Sequence, residues 1–465
     1  MEKKILVIGS GISGLTAAIM TAESGNKAVL VSPYPSERSQ SVMAAGGINA
    51  VLGDSDDAVE LHINDTLSGG KNIAGFETVS RLCNDAPKII RFLEKLGVVF
   101  SRDDKGEVAR RAFGGQSKKR TVYAGASTGK QIVSGLVQKC REYECSGAVE
   151  RVFGLKFHSA LIKDNTCFGA LFYKEGFEEF VPIYADAVIF ATGGQNALFG
   201  KTTGSTLCDG YAAAKLFMQG AMLKNPEFIQ YHPTTIETAQ KRMLITEGAR
   251  GEGGRLYYLD KNNNRVYFME EMFGEKGNLM PRDIVSKCIY DAPGKVYLDI
   301  TFLGEKAIKK KLAEVYDLCL TYLDLDVTKE SIPVYPSVHF FMGGLAVDKN
   351  HRTNIKRMYA VGECASIYHG ANRLGGNSLL AAIHSSRVAV KDALDLETDT
   401  SQKPDFSDYA QDVKKSFEKE GENSPFSAVY MIKNIESVMQ NEMGISRNGE
   451  KLKYNVPIRV DTFES

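Results

Sequence analysis

The stretch from Lys3 to Ser32 limits the possible folds more than any other part of the chain. Its sequence, KKILVIGSGISGLTAAIMTAESGNKAVLVS, predicts an apolar strand, a glycine-rich turn, a helix and a second apolar strand. Gly9 makes a tight turn, Gly11 lets a phosphate approach the backbone, and Gly14 lets the helix pack close to the strand. In this setting the GxGxxG pattern predicts a parallel sheet that binds a dinucleotide at a helix N-terminus.

Two later glycine-containing strands refine this prediction. ADAVIFATGG (Ala185–Gly194) contains Thr192 and Gly193, and MYAVGECAS (Met358–Ser366) contains Glu363. These segments resemble those of flavoproteins with a glutathione-reductase-like nucleotide fold. The resemblance implies that the bound dinucleotide is one FAD.

Composition excludes several classes of partner. The 465 residues include 57 basic and 57 acidic side chains, and this balance argues against a nucleic-acid surface or a polybasic membrane patch. No apolar run reaches the roughly 18 residues that a membrane-spanning helix needs, so direct membrane insertion is not expected. The closest cysteine pair, Cys140 and Cys145, lacks the spacing of a zinc, haem or iron–sulfur site. We expect a cytoplasmic protein, or one held at a membrane surface through a partner.

The segment RSQSVMAAGGINAVLG (Arg38–Gly53) consists mostly of small neutral residues and has neither helical nor strand periodicity. It resembles the flavin-facing strip of the succinate dehydrogenase, fumarate reductase and L-aspartate oxidase flavoprotein family. In that family an extended segment runs beside the isoalloxazine ring, and its backbone amides bond the flavin. Only a bare backbone can approach a flat ring so closely.

Further ordered motifs extend the resemblance from residue 3 to about residue 450. They are FGGQSKKRTVYAGASTG (Phe113–Gly129), IQYHPT (Ile229–Thr234), LITEGARGEGG (Leu244–Gly254), MPRDIVSK (Met280–Lys287), PSVHFFMGG and HGANRLGGNSLL. The resemblance and the nucleotide motifs together imply which residues bind FAD. Ser32 ends the second strand, where an acidic residue usually holds a ribose hydroxyl, so only its own hydroxyl is expected to serve there. The predicted cofactor-binding residues are Gly9, Gly11, Gly14, Ser32, Ser39, Ser41, Gly46, Gly47, Thr192, Gly193, Asp209, Glu363, Asn377, Ser378 and Leu379.

A dicarboxylate substrate needs cations and hydrogen-bond donors at both ends, because burying an unpaired carboxylate is costly. The resemblance implies that Arg282 delivers a proton to the substrate carbon and is resupplied through Glu247 and Arg250. An isolated arginine is a poor general acid because it stays protonated, so this role depends on the resemblance and on the relay. The residues predicted to bind the substrate are His232, Thr246, His339, Arg373 and Phe113. No metal ligands are predicted.

The predicted fold class is α/β: a glutathione-reductase-like FAD-binding nucleotide fold with an inserted α+β capping domain and a short, truncated C-terminal helical segment. Residues 1–226 and 336–398 are assigned to the FAD-binding domain and residues 227–335 to the capping domain. Residues 399–465 are assigned to a linker and the C-terminal segment. The active site is expected between the domains, with His339 and Arg373 on the side of the FAD-binding domain.

Three positions depart from parts of the family. Gln40 stands where membrane-complex members have a histidine bonded covalently to the flavin, so FAD is expected to be non-covalent and its potential lower. Ala45 stands where the family commonly has a polar or charged side chain. Phe113 stands where L-aspartate oxidases have a glutamate suited to a substrate ammonium, and phenylalanine offers no such charge.

The resulting hypothesis is a flavoprotein that interconverts fumarate and succinate, mainly in the reductive direction. Two alternatives stay open: an L-aspartate oxidase that forms iminoaspartate, and a catalytically silent electron-relay or scaffold subunit. The chain has no iron–sulfur or haem motif and no second nucleotide fold. An iron–sulfur or other electron-transfer partner is therefore expected to exchange electrons with it.

Overall fold

The computed structural model describes residues 2–53, 56–125, 127–177, 179–239, 241–397, 404–423 and 427–449. Its strands are β1 (Lys4–Ile8), β2 (Lys27–Ser32), β3 (Ile48–Asn49), β4 (Arg110–Arg111), β5 (Thr121–Val122), β6 (Val149–Phe153), β7 (Leu155–Lys163), β8 (Thr166–Lys174), β9 (Glu179–Tyr184), β10 (Ala187–Phe190), β11 (Leu223–Lys224), β12 (Ile229–Glu237), β13 (Arg242–Leu244), β14 (Arg255–Leu259), β15 (Arg265–Val266), β16 (Val296–Asp299), β17 (Ile332–Phe341), β18 (Gly344–Ala346), β19 (Met358–Ala360) and β20 (Ala365–Ser366).

The helices within the same residues are α1 (Ile12–Glu23), α2 (Val59–Gly69), α3 (Phe76–Lys95), α4 (Thr128–Cys145), α5 (Tyr211–Met218), α6 (Gly248–Gly251), α7 (Phe268–Phe273), α8 (Arg282–Asp291), α9 (Glu305–Lys311), α10 (Ala313–Leu323), α11 (Asn377–Asp395), α12 (Ser407–Asn423) and α13 (Ala428–Glu442). No helix in the described part of the chain is both long and apolar enough to cross a bilayer. Residues 398–403 of the predicted linker, and 424–426 and 450–465 of the predicted C-terminal segment, lie outside the described residues.

The chain forms two compact units. The first comprises the described parts of Met1–Gly194, Gly210–Ile229 and Phe341–Asn423. The second comprises those of Gln195–Asp209, Gln230–Phe340 and Ser424–Ser465.

The first unit is built on a parallel five-stranded sheet with the order β19-β10-β1-β2-β6. Alternate residues of β1 point to opposite faces, as the two-residue period of a strand requires. Ile5 and Val7 join a core with α1, α4 and α11, whereas Leu6 and Ile8 join a core with β7 and β8. Because both faces are covered, β1 is apolar from Ile5 to Ile8. The predicted strand, glycine turn, helix and strand are confirmed as β1, α1 and β2.

The second unit is built on a six-stranded sheet with the order β13-β12-β17-β16-β14-β15. Its core contains apolar residues of β12, β14, β16 and β17 together with residues of α8, α9 and α10. In this unit α13 packs near residues 196–199, where Gln440 donates a hydrogen bond to the backbone oxygen of Phe199.

The structure places His339 differently from the sequence analysis. That analysis assigned it to the FAD-binding domain, which was expected to resume at residue 336. Strand β17 runs without interruption across this position, and the second unit continues to Phe340. Since the strand pairs with β16 in the sheet of the second unit, His339 belongs to that unit. The first boundary likewise lies at Ile229 rather than at residue 226.

A buried ion cluster holds one edge of the first unit together. The Arg120 side chain is completely buried, and its Nη2 and Nε atoms lie 2.8 and 3.1 Å from the carboxylate oxygens of Asp57. Its Nη1 atom also donates to Asp65 on α2. The cluster therefore connects α2 and the segment that precedes it with β5, which follows Arg120 directly.

Replacing Asp57 with asparagine should destabilise the first unit. The change leaves a buried guanidinium short of one countercharge, and breaking such a pair costs about 3 kcal/mol. The neighbouring Asp56 provides a matched control, because its side chain is 75% exposed and pairs with Lys118 on the surface. Asp56→Asn should cost less than about 0.5 kcal/mol. Chemical denaturation of both variants at one pH measures the difference, and equal midpoints would contradict the assignment.

Candidate active site

Three ionisable side chains meet in the interior of the second unit. The Nε and Nη2 atoms of Arg282 lie 2.9 and 2.6 Å from Oε2 of Glu247. The other carboxylate oxygen, Oε1, lies 3.3 Å from Nη2 of Arg250. One carboxylate thus lies between two guanidinium groups, which gives the cluster a net positive charge. All three side chains are buried. The structure thus brings together the three residues predicted to move a proton.

Local structure explains why these residues meet. Helix α8 begins at Arg282 directly after Pro281, as the sequence predicted, so the arginine is fixed at a helix start. Glu247 immediately precedes the short helix α6, and Arg250 lies three residues later on the same side of that turn. Arg250 also donates from Nη1 to the backbone oxygen of Asn278 at 2.6 Å.

Burial changes the acidity of the inner arginine. Desolvation lowers the pKa of Arg250, although the adjacent Glu247 carboxylate acts in the opposite direction. The guanidinium of Arg282 adds to the lowering because it is a like charge. Arg250 is therefore a better proton donor than a solvated arginine, and this is the property that a proton relay needs.

Gln230 is a member of this site that the sequence analysis missed. Its Oε1 atom accepts a hydrogen bond from Nη1 of Arg282 at 3.2 Å, and it is buried. Gln230 and His232 are two residues apart on β12 and therefore share one face of the strand. This spacing inside the IQYHPT motif was a signal that could have identified Gln230.

The predicted substrate-binding histidines lie next to each other in the second unit. The rings of His232 and His339 are 5.3 Å apart between centroids and meet edge to face. Thr203 Oγ1 donates to the backbone oxygen of Val338 at 3.1 Å and lies 2.9 Å from Nδ1 of His339. Since the hydroxyl has one proton, Nδ1 of His339 is the donor to Thr203. Thr246, which directly precedes Glu247, is buried. Its hydroxyl oxygen accepts a hydrogen bond from the Gly248 amide at 3.3 Å.

In the first unit the glycine turn brings two backbones into direct contact. A Cβ atom on Gly14 would lie 1.8 Å from the Gly9 oxygen, and one on Gly9 would lie 2.3 Å from the Ala191 oxygen. No side chain fits at either position. At Gly11 a Cβ atom would meet Ser41 Oγ at 3.0 Å, and this hydroxyl accepts the Ile12 amide at the start of α1. The segment Arg38–Gly53, called the strip below, therefore lies beside the N-terminus of α1 at Ser41.

The strip itself offers polar groups that no described residue satisfies. The buried atoms Ser39 Oγ and Gln40 Oε1 have no hydrogen-bond partner within the described residues. Gly47 is buried with a φ of 122°, and a Cβ atom there would lie 2.3 Å from the Val122 oxygen. Buried polar groups without partners are rare in folded proteins, so these atoms indicate a polar ligand along the strip.

The residues at the start of α11 are held by a buried hydrogen-bond network. Asn377 Oδ1 lies 2.8 Å from Nδ2 of Asn49 and 3.0 Å from Nε2 of His62, and its own Nδ2 donates to Thr66. Its side chain is thus engaged within the protein, whereas Ser378 and Leu379 lie in the first turn of α11, where helix amides lack partners within the helix. The sequence analysis missed Asn49, whose Oδ1 accepts from Gln116 at 2.8 Å.

Thr192 and Gly193 follow β10, and the next residue packs against Glu363. A Cβ atom on Gly194 would lie 2.5 Å from Oε1 of Glu363, and this oxygen accepts the Phe341 amide at 3.0 Å. Burial raises the pKa of Glu363 to about 7, while the Phe341 amide and the charge of Arg373 oppose the shift. A hydroxyl donor from a ligand would favour the ionised form.

The remaining predicted residues are divided between the units. Phe113 is buried, and its ring would lie 3.4 Å from a Cβ atom on Gly46. Ser32 ends β2 with its hydroxyl 3.4 Å from the Tyr34 amide, and Arg373 lies in the first unit. Asp209 is the one predicted cofactor residue assigned to the second unit.

Comparison with known proteins defines the class. Residues 4–379 match the family model described as an FAD binding domain. The bare glycine turn, the helix N-termini and the unpartnered polar atoms of the strip fit such a cofactor. The cofactor is therefore FAD.

Similar proteins define the family. The succinate dehydrogenase flavoprotein subunit of Bacillus subtilis is 40% identical over 84% of this chain and 69% of its own length. The L-aspartate oxidase of Clostridium perfringens is 35% identical over 82% of this chain and 84% of its own. A solved structure of Escherichia coli quinol fumarate reductase has a TM-score of 0.88 and 30% identity, covering 98% of this chain and 81% of that chain. The chain belongs to the succinate dehydrogenase, fumarate reductase and L-aspartate oxidase flavoprotein family of FAD-dependent oxidoreductases, as its motifs predicted.

FAD binding should strengthen as pH rises through 7. If a cofactor hydroxyl donates to Glu363, binding requires the carboxylate, so raising the pH from 6 to 8 should tighten FAD binding about tenfold. Titration of the FAD-free protein with FAD at several pH values measures this. Glu363→Gln should abolish the pH dependence, whereas the exposed control Glu150→Gln should keep it. An unchanged slope in Glu363→Gln would contradict the role of this carboxylate.

Proposed function

We propose that this protein is a fumarate reductase flavoprotein that binds FAD non-covalently and converts fumarate to succinate. The observation that carries the proposal is the buried cluster of Arg282, Glu247 and Arg250. In this proposal the first unit holds FAD as a nucleotide-binding domain, and the second unit, as a capping domain, supplies the proton-delivering cluster. When bound, FAD supplies a hydride from N5 to one alkene carbon.

The cluster has the features that protonation of the other carbon requires. Arg282 is held by Glu247 through two donors and by Gln230 through a third, so its orientation is defined. Once Arg282 gives up a proton, Arg250, whose pKa burial lowers, gives one to the Glu247 carboxylate, which passes it to Arg282. Arg282 can act as an acid here because the cluster returns its proton at once. A proton from solvent then restores Arg250 before the next turnover.

The surplus positive charge supports a dianionic substrate. Two guanidinium groups and one carboxylate leave one charge uncompensated in a buried site. The rings of His232 and His339 lie beside each other in the same unit, and both residues are proposed as substrate ligands. A substrate carboxylate would complete this charge balance. Polarising the carboxylate also stabilises the negative charge that develops on the alkene carbon after hydride arrives. Thr246 and Arg373 are proposed as further substrate ligands.

Two side chains support the reductive reaction and the diacid substrate. Gln40 cannot form the covalent flavin bond of the membrane-complex relatives, and the lower potential expected without that bond favours fumarate reduction. Phe113 is buried against the strip and presents no charge for an ammonium group. It therefore favours fumarate over L-aspartate.

An electron-transfer partner is part of the proposal. The Bacillus subtilis relative is named as a flavoprotein subunit. We propose that an iron–sulfur or other redox subunit delivers electrons to FAD in this protein as well. We also propose that the protein is cytoplasmic, or that such a partner holds it at a membrane surface.

Loss of Arg282 should abolish turnover without unfolding the protein. With reduced viologen as donor under anaerobic conditions, Arg282→Ala should lower the rate of fumarate reduction by about 10²- to 10⁴-fold, the usual contribution of a general acid. The control is Arg255→Ala, because Arg255 lies in the same unit but forms a part-exposed pair with Glu270. A silent scaffold subunit would show no fumarate reduction in the unmodified protein. Oxidation of L-aspartate without reduction of fumarate would replace the proposal with the oxidase alternative.

The flavin should be released by acid. Precipitating the purified protein with trichloroacetic acid should leave all yellow flavin in the supernatant, because Gln40 provides no ring nitrogen for a covalent bond. Gln40→Ala should behave in the same way. Flavin that stays with the precipitated chain after washing would contradict non-covalent binding.

A further inference from the structure

The side chain of Arg111 donates hydrogen bonds to backbone carbonyl groups of the strip. Its Nη2 atom lies 2.6 Å from the oxygen of Ala45 and 2.6 Å from the oxygen of Gly46, and its Nε atom lies 3.1 Å from the latter. One guanidinium thus bridges two successive peptide units at the centre of the strip. Charge-assisted bonds of this kind are about twice as strong as neutral ones.

Two aromatic rings hold the guanidinium in this position. Its central carbon lies 4.3 Å from the ring centroid of Tyr123 and 5.6 Å from that of Phe113. Phe113 also packs on Gly46, and the Cβ atom of Tyr123 would lie 3.2 Å from a Cβ atom on Gly47. The two rings therefore contact both the guanidinium and the strip, and these contacts fix the orientation of Arg111.

The two peptide groups whose carbonyl oxygens bind Arg111 also contain the amides of Gly46 and Gly47. The Ala45 carbonyl belongs to the same peptide as the Gly46 amide, and the Gly46 carbonyl to the same peptide as the Gly47 amide. Within the described residues neither amide donates to a backbone oxygen. A cation bonded to a carbonyl polarises the peptide and makes its N–H a stronger donor. Gly47 is buried, so its amide needs an acceptor from a ligand.

We propose that Arg111 is a positioning residue that strengthens the Gly46 and Gly47 amides as donors to the flavin ring and thereby raises the reduction potential of bound FAD. The inference deepens the proposed function, on which its use in fumarate reduction rests. Reduction adds electron density to the ring, so stronger donors stabilise the reduced form more than the oxidised form. The positive charge of Arg111 compensates in part for the missing covalent bond at Gln40.

The test measures the two-electron midpoint potential of bound FAD without any diacid present. Arg111→Met should lower the equilibrium constant for reduction of bound FAD by on the order of tenfold. For a two-electron couple this makes the midpoint potential about 30 mV more negative. Arg111→Lys keeps the charge but loses the Nε donor to Gly46 and the planar group that lies against the two rings, so we expect a smaller shift in the same direction. The control is Arg102→Met, because Arg102 is exposed and bonds Gly106 and Glu94 instead.

The outcomes separate this inference from the proposed function. A lowered potential in Arg111→Met, with the control unchanged, supports the inference even if fumarate is not reduced. An unchanged potential in both Arg111 variants overturns it even if the unmodified protein reduces fumarate. If Arg111→Met fails to fold or to retain FAD, the potential of Arg111→Lys decides alone, and a value equal to that of the unmodified protein overturns the inference.

Discussion

The second unit is organised around the buried carboxylate of Glu247. Glu247 cannot be placed in the interior without countercharges, and its two partners come from different elements, Arg282 at the start of α8 and Arg250 on α6. Strand β12 completes the arrangement with Gln230. Buried ion clusters seldom stabilise a fold relative to apolar packing, so the cost of this one is better explained by chemistry than by stability.

The first unit depends on a different constraint, the close approach of bare backbones. Helix α4 also packs directly against the strip, and its residue Gly129 makes this close contact possible. A Cβ atom on Gly129 would lie 2.0 Å from the Ser41 oxygen. The small residues of the strip and of α4 therefore serve the packing of the protein, and in the proposed function those of the strip also let the cofactor approach. Arg111 uses the carbonyl groups that this arrangement leaves exposed to a side chain.

The motifs located most of the site because each is local. A glycine turn between two strands, or a proline before a helix, is encoded within a few residues, and both formed as expected at Gly9 and at Arg282. The missed residues act over long distances in sequence. Gln230 reaches Arg282 across 52 positions, and Arg111 reaches Ala45 across 66. The spacing from His232 could place Gln230 on one face of β12, but it does not give the contact with Arg282, since only the folded chain brings such partners together.

Sequence alone determined the cofactor class, the family, the parallel sheet of the first unit and the identity of the three residues in the ionic cluster. It did so because glycine spacing, apolar periodicity and ordered motifs restrict the backbone locally. Tertiary structure alone decided that His339 belongs with the second unit, that Asn377 is engaged inside the protein and that Arg111 supports the strip. These facts depend on strand pairing and on contacts between distant segments, whose free energy exists only when the whole core has formed.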